Sequence, residues 1–214
     1  MRTPPSTGEY YHIYNRGTDK RDVFLSEEDI RRFLLSMSEF NTTNPIGSIY
    51  ENSFTKSKLG DPISKSGRLV EFVAYCLNQN HYHFILKQVV DRGISTFMQR
   101  LGIGYTMYFN EKYERTGALF QGKYKIKHIA TNEYLLHLSA YVNLNFEVHR
   151  LGDWISKSSW DEYLGKLAIP FCKKDVVLGQ FFSSAEYEKY ARNALKDILQ
   201  RRQNEKELNT LLLE

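Results

Sequence analysis

Two histidines separated by one residue, His81 and His83, lie in the apolar stretch HYHFILKQ. Successive side chains of a β-strand point to opposite faces of the sheet, so on a strand both imidazoles project from the same face. Imidazole nitrogens bind divalent metal ions, and a bound cation polarises a phosphate. The spacing therefore indicates either half of a metal site for phosphate chemistry or a pair of structural histidines.

A second group of reactive residues lies downstream, in TNEYLLHLSAYVNLN. Apolar residues at spacings of three and four predict an amphipathic helix, and Thr131 is suited to cap its first turn. Tyr141 and Asn145 are four residues apart, so one face of this helix would carry both. The Asn145 carbonyl oxygen suits a hard cation as third ligand, and Tyr141 offers a nucleophilic hydroxyl. The alternatives are a half-buried tyrosine and an asparagine that caps the helix end.

The segment GKYKIKHI carries lysines at every second position. On a strand, Lys123, Lys125 and Lys127 would lie on one face. That face is either a solvated sheet edge or a row of contacts to nucleic-acid phosphates. Tyrosine provides 15 of the aromatic residues, and tyrosines interleaved with lysines suit a groove in which bases stack.

Composition indicates a globular protein with one domain, or one domain and an appendage. The chain has 214 residues and a formal net charge of +4, a mild excess that by itself requires no nucleic-acid partner. No apolar run approaches the length of a membrane span, and MRTPPSTGEYY has no apolar signal region. Cys76 and Cys172 form no metal motif and predict free thiols in a reducing cytoplasm.

The elements that must position these residues alternate along the chain. Strands are expected at 10–16, 69–77, 81–88 and 122–129, and helices after Ser26, over 92–111, over 131–145 and within 183–214. Residues 41–68 are rich in Asn, Ser, Thr, Gly and Lys and predict a long mobile loop.

This order predicts an α+β fold of ferredoxin-like type. Its antiparallel sheet has helices packed mainly on one face, the histidine strand is central, and the tyrosine helix crosses the open face. We place the main domain at 1–165 and a C-terminal helical extension at 166–214.

Several segments, in this order, resemble the REP-associated tyrosine transposases, which are single-tyrosine HUH transposases of insertion sequences. YYHIYNRGTDKRDVF is similar to the opening strand and turn of that family, and VEFVAYCLNQNHYHFILKQ to its histidine strand pair. FMQRLGIGYTMYFNEKYERTGALFQGKYK is similar to its helix and following segment. AYVNLN resembles its Tyr-Ile-x-x-Asn element, and SSWDEYLG its closing segment.

The resemblance implies a metal-dependent enzyme that nicks and rejoins single-stranded DNA beside a hairpin. His81, His83 and Asn145 would hold Mg²⁺ or Mn²⁺, and Tyr141 would form a 5′-phosphotyrosine bond. The enzyme would act as a monomer or a homodimer. Our candidates for contact with the DNA backbone are Arg16, Lys123, Lys125 and Lys127.

This chain departs from the family pattern at two positions. Gln79 stands where the family usually has proline, and Phe146 follows Asn145 where the family often has Asn-Pro. Neither change removes a reactive group. His137, one turn before Tyr141, is either a helper that activates the tyrosine or a surface or packing histidine. His12 either faces the site or has a structural role.

Three classes of function follow. The first is the nicking and strand-transfer enzyme. The second is a domesticated hairpin-binding protein with little or no cleavage, which needs neither Tyr141 nor the histidines. The third is a structural or RNA-binding ferredoxin-like domain, which the lack of an RNP aromatic signature disfavours. The joint presence of tyrosine and histidines favours the enzyme.

Overall fold

The computed structural model describes residues 4–44, 46–47, 49, 67–148, 156–167 and 170–211. Most of the loop predicted at 41–68 lies outside the described residues. The strands are β1 (Tyr10–Arg16), β2 (Val70–Asn78), β3 (His81–Gln88), β4 (Lys125–His128) and β5 (Lys157–Ser158). The helices are α1 (Glu27–Glu39), α2 (Gly93–Lys112), α3 (Asn132–Asn143), α4 (Asn145–Val148), α5 (Trp160–Tyr163), α6 (Asp175–Leu178) and α7 (Ser184–Leu211), and a short 3-10 turn spans Thr18–Lys20.

The strands form one antiparallel sheet in the order β4-β1-β3-β2-β5. The histidine strand β3 is central, as predicted, with β1 on one side and β2 on the other. A two-residue turn, Gln79–Asn80, joins β2 to β3, and Asn78 lies opposite His81 across that pair. The turn is fixed from outside, because the amides of Val23 and Phe24 both donate to the Gln79 carbonyl.

Helices α1 and α2 cover one face of the sheet. A capping box closes the start of α1: Ser26 Oγ accepts from the Asp29 amide, and the Asp29 carboxylate accepts from the Ser26 amide. Phe33 from α1 and Tyr105 from α2 pack edge to face in the core on this side. Burial of such large aromatic rings is the main force that holds the two helices on the sheet.

The opposite face of the sheet is covered by α3 and, behind it, α7. Ile85 of β3 shares this second core with Leu138 of α3. The hydroxyl of Tyr187, fully buried on α7, lies 3.0 Å from Ser139 Oγ and 2.9 Å from Asn143 Nδ2. The C-terminal helix therefore packs directly on the back of the tyrosine helix.

The predicted α+β fold is confirmed, including the helical C-terminal region. The helices are distributed more evenly over the two faces than the prediction of helices mainly on one face, because β2 and β3 are buried on both faces and each face therefore needs a cover. The domain boundary at 165/166 and the cytoplasmic location stay predictions. Within the described ranges, no helix is long and apolar enough to cross a membrane.

Candidate active site

The four residues of the predicted catalytic set come together on the α3 face of the sheet. His81 and His83 project from the same face of β3, with ring centroids 5.2 Å apart. The ring of Tyr141 lies edge-on to His83, with 5.5 Å between centroids. Asn145 Oδ1 lies 3.1 Å from His81 Nε2. One chain thus contains histidines, amide and tyrosine as a single cluster.

Hydrogen bonds from the turn between β2 and β3 select the tautomer of the His81 ring. Asn80 Nδ2 donates to the Lys20 carbonyl at 3.2 Å, which turns Asn80 Oδ1 towards His81 Nδ1 at 2.6 Å. A carbonyl oxygen only accepts, so His81 Nδ1 carries the proton and Nε2 carries the lone pair. The lone pair of His81 consequently faces Asn145.

The side-chain NH₂ of Asn78 donates to both of these acceptors. Its Nδ2 lies 2.9 Å from His81 Nε2 and 2.7 Å from Asn145 Oδ1, and its Oδ1 faces Cys76 Sγ. Asn78 and Asn145 are both fully buried. The orientation of Asn145 follows, because the reversed amide would place two Nδ2 donors against each other.

A second imidazole supports His83. His12 Nε2 on β1 lies 2.9 Å from His83 Nδ1, and the two rings are stacked. Tyr14, also on β1, stacks on His83 from the same strand face. Burial, and then the charge of Lys127, lower the pKa of His12 to about 4, so its ring is neutral at neutral pH.

The tyrosine helix ends earlier than predicted. Helix α3 stops at Asn143, Leu144 is its C-terminal cap, and Asn145 begins the separate short helix α4. Thr131 caps the N-terminus as predicted, accepting from the Tyr134 amide. The expectation of a single helix through Asn145 is therefore wrong, and so is the alternative that Asn145 is the cap. The break aims the Asn145 amide at β2 and β3 from the end of the helix.

A cavity of about 410 Å³ opens beside this cluster. Tyr141 and both histidines line it together with three cationic side chains, Arg16, Lys20 and Lys125. Arg16 Nε also donates a hydrogen bond to Oε1 of Gln121, which lines the same cavity. A cavity that combines a hydroxyl nucleophile with several cations suits a phosphodiester.

The three predicted lysines do not lie in one row. Lys125 and Lys127 share the His12 face of the sheet through their pairing with β1, and the Lys127 ammonium lies over the Tyr134 ring at 4.6 Å. Lys123 precedes β4 and lines a different cavity, beside α2 on the other side of the sheet. Gly122, with φ +65°, turns the chain just before Lys123, so the strand alternation begins only after it.

The cluster fits a divalent cation. The His81 and Asn145 acceptors are 3.1 Å apart, close to the roughly 3 Å that separates neighbouring ligand atoms bound at about 2.1 Å to one Mg²⁺. Asn145 Nδ2 is buried and has no hydrogen-bond partner in the described part of the chain, so this amide is held through its oxygen. In that same part, no cluster of three or more His, Cys, Asp or Glu side chains could hold a metal ion.

Sequence reasoning missed several residues that contact the set. Asn78 reads as part of a turn, although it is the last residue of β2. For His12 the sequence allows both a place facing the site and a structural role, and the structure places its ring against His83. Lys20 has left-handed backbone geometry, with φ +61°, which no local pattern indicates. Only the strand register, which pairs Asn78 with His81 and Tyr14 with His83, could have pointed to these neighbours.

A family model described as "Transposase IS200 like" matches residues 58–145. The resemblance to tyrosine transposases is confirmed. The matched range contains both histidines, Tyr141 and Asn145. The chain is also similar to the solved structure of a REP-associated tyrosine transposase bound to a REP hairpin, at 14% identity and a TM-score of 0.52, over 80% of this chain and 88% of that chain. At that identity the likeness to this transposase shows the shared fold. No curated protein matches the chain.

Proposed function

We propose that this protein is a transposase that cuts and rejoins single-stranded DNA through a covalent bond to Tyr141. The observation that carries the proposal is the contact between the Tyr141 ring and His83, beside the His81–Asn145 pair, in a cavity with three cations. These are the parts that nucleophilic attack on a phosphodiester needs: a hydroxyl, a site for the phosphate oxygens and compensation of charge.

The chain's own residues account for binding and attack. Arg16, Lys20 and Lys125 neutralise the DNA backbone and place one phosphate in the cavity. The Tyr141 oxygen then bonds to phosphorus, and the bond from phosphorus to the 3′ oxygen breaks. The tyrosine gives up its proton and the leaving strand ends in a 3′-OH, so the proton count balances. Attack by another 3′-OH on the phosphotyrosine reverses the step and joins two strands.

The proposal includes Mg²⁺ or Mn²⁺ as cofactor, held by His81, His83 and Asn145. When bound, such a cation stabilises negative charge on the phosphate oxygens. The lone pair that Asn80 fixes on His81 Nε2 and the neighbouring Asn145 oxygen support this ligand set. Because Tyr141 already lies beside the histidines of its own chain, one copy contains the complete set, whether the protein acts as a monomer or as a homodimer.

The proposed substrate is single-stranded DNA next to a repeat hairpin. It is supported by the fold shared with a transposase solved with a REP hairpin and by the cationic cavity. An open strand lets one phosphate reach the cluster at the sheet surface, which a stiff duplex would not.

The test uses labelled single strands that carry a hairpin, incubated with the full-length protein and Mn²⁺ or Mg²⁺. Wild type is expected to give a covalent protein–DNA adduct on a denaturing gel, and Tyr141→Phe none. Tyr134→Phe, which removes a hydroxyl from the same helix away from the cluster, should behave as wild type. His81→Ala and chelation of the metal should each abolish the adduct.

Equal adduct from wild type and Tyr141→Phe would refute the proposed nucleophile. Hairpin binding without any adduct from wild type, under all metal conditions, would instead support the domesticated hairpin-binding protein.

A further inference from the structure

The contact between His12 and His83 joins two buried imidazoles from neighbouring strands. His12 is 7% and His83 8% exposed, and the Nε2 to Nδ1 distance is 2.9 Å. Two neutral imidazoles can form such a bond in only two ways, because one nitrogen must carry the hydrogen and the other the lone pair. The two ways place the lone pair of His83 on different nitrogens.

If His12 donates, His83 Nδ1 accepts and the proton of His83 sits on Nε2. His83 Nε2 then has no lone pair for a metal ion. If His12 accepts, His83 carries its proton on Nδ1 and Nε2 keeps its lone pair. We propose that His12 is a positioning residue that accepts the Nδ1–H of His83 and so keeps the Nε2 lone pair available as a metal ligand. This inference rests on the proposed function, which makes His83 a ligand.

His81 has the arrangement that we propose for His83. There the hydrogen on Nδ1 is held by Asn80 Oδ1 at 2.6 Å, and the lone pair of Nε2 faces Asn145. Metal-binding histidines commonly donate their second ring N–H to a neighbouring acceptor, which fixes the tautomer and the ring orientation. His12 provides that acceptor for His83, so each histidine of the pair has its own partner on an adjacent element.

The fold gives His12 little freedom to turn away. It lies in the middle of β1, paired with Ile85 of β3 and with Lys127 of β4. Its ring stacks on His83, with centroids 5.2 Å apart, and lies tilted against the Tyr14 ring, with centroids 4.9 Å apart. A rigid strand holds the acceptor more precisely than a loop would.

The first measurement is the affinity for Mn²⁺ alone, by calorimetry on the full-length protein without DNA. His12→Leu removes the acceptor and is expected to weaken Mn²⁺ binding by roughly 10–100-fold. His12→Gln can present an amide oxygen to His83 Nδ1 and should recover most of that loss. The matched control is His128→Gln on β4, which removes an exposed histidine that pairs with Glu9.

The second measurement needs no metal. Long-range ¹H–¹⁵N spectra of the metal-free protein report which ring nitrogen of His83 carries the proton. The expected result is Nδ1–H in wild type and in His12→Gln, and a shift towards Nε2–H in His12→Leu. Circular dichroism verifies that each variant is folded.

An Nε2–H tautomer of His83 in the wild type would overturn the inference, as would a His12→Leu variant that keeps both the tautomer and the Mn²⁺ affinity of wild type. Failure of the proposed function looks different: wild type would bind no Mn²⁺ and form no adduct, although the tautomer of His83 could still be read.

Discussion

Replacing Asp29 by asparagine should destabilise the protein without touching the cavity. The Asp29 side chain is fully buried, and its two oxygens accept from five groups. Oδ2 accepts from the amides of Leu25 and Ser26 and from the Tyr113 hydroxyl. Oδ1 accepts from Lys112 Nζ and the Tyr108 hydroxyl, at 2.9 and 3.0 Å. This carboxylate ties the first turn of α1 to the end of α2.

An asparagine cannot replace that pattern. Whichever way the amide is turned, its NH₂ faces donors, and Lys112 loses a charged partner. Loss of one buried charged partner costs about 3–5 kcal/mol, and the remaining bond from Lys112 to Glu28 brings our expectation to about 3 kcal/mol. Glu28→Gln is the matched control, because Glu28 contacts the same ammonium but is 65% exposed, and it should cost less than about 1 kcal/mol.

The assay is equilibrium unfolding in urea, measured at pH 7 and repeated at lower pH. Burial alone would raise the pKa of Asp29, but hydrogen bonds from Lys112 and Tyr113 lower it overall. The carboxylate therefore stabilises the fold above its ordinary titration range, and this contribution is lost as the pH falls through the lowered pKa. The difference between wild type and Asp29→Asn should shrink in acid. An Asp29→Asn variant that costs no more than Glu28→Gln at pH 7 would refute the reasoning.

Three further predictions concern other parts of the molecule. Gly104→Ala should lower the free energy of unfolding by about 1–3 kcal/mol relative to Gly102→Ala, because a Cβ at Gly104 would lie 2.6 Å from the Phe40 ring whereas Gly102 faces open space. Equal midpoints of the two variants in urea unfolding would contradict this. Because burial lowers the pKa of His12 to about 4, wild type should lose about 2 kcal/mol of unfolding free energy from this group between pH 7 and pH 5. His12→Gln should lack that loss. If the unfolding free energies of wild type and His12→Gln changed in parallel with pH, His12 would not be its source. Lys125→Gln should reduce the salt dependence of single-strand binding by about 0.7 in the slope of log K against log salt, and an unchanged slope would remove Lys125 from the interface.

Much of the sheet could be predicted because alternation and turn residues act locally. The strand pair around Gln79–Asn80 and the shared face of His81 and His83 follow from a period of two and a short turn. The position of Tyr141 beside these histidines required a resemblance as well as a helical pattern, because periodicity does not say which face of a sheet a helix covers.

The rest depended on contacts between residues distant in sequence. Asn78 and His12 become neighbours of the site only through strand register, which single-sequence patterns leave open. The helix break before Asn145 accompanies a contact with a distant strand, since the buried Asn78 of β2 donates to the Asn145 oxygen at 2.7 Å. Lys123 does not share a face with Lys125 and Lys127, because the positive φ of Gly122 turns the chain just before Lys123 and β4 begins only at Lys125.

The hydroxyl of Tyr187 makes the C-terminal helix α7 an integral part of the fold. It satisfies Ser139 and Asn143 on the back of α3, so trimming the protein back to residue 165 would strip a buried partner from both and leave an apolar surface in water. Shortening the protein from its C-terminal side would therefore remove the support behind α3, the helix that carries Tyr141, before it removed any residue that lines the cavity.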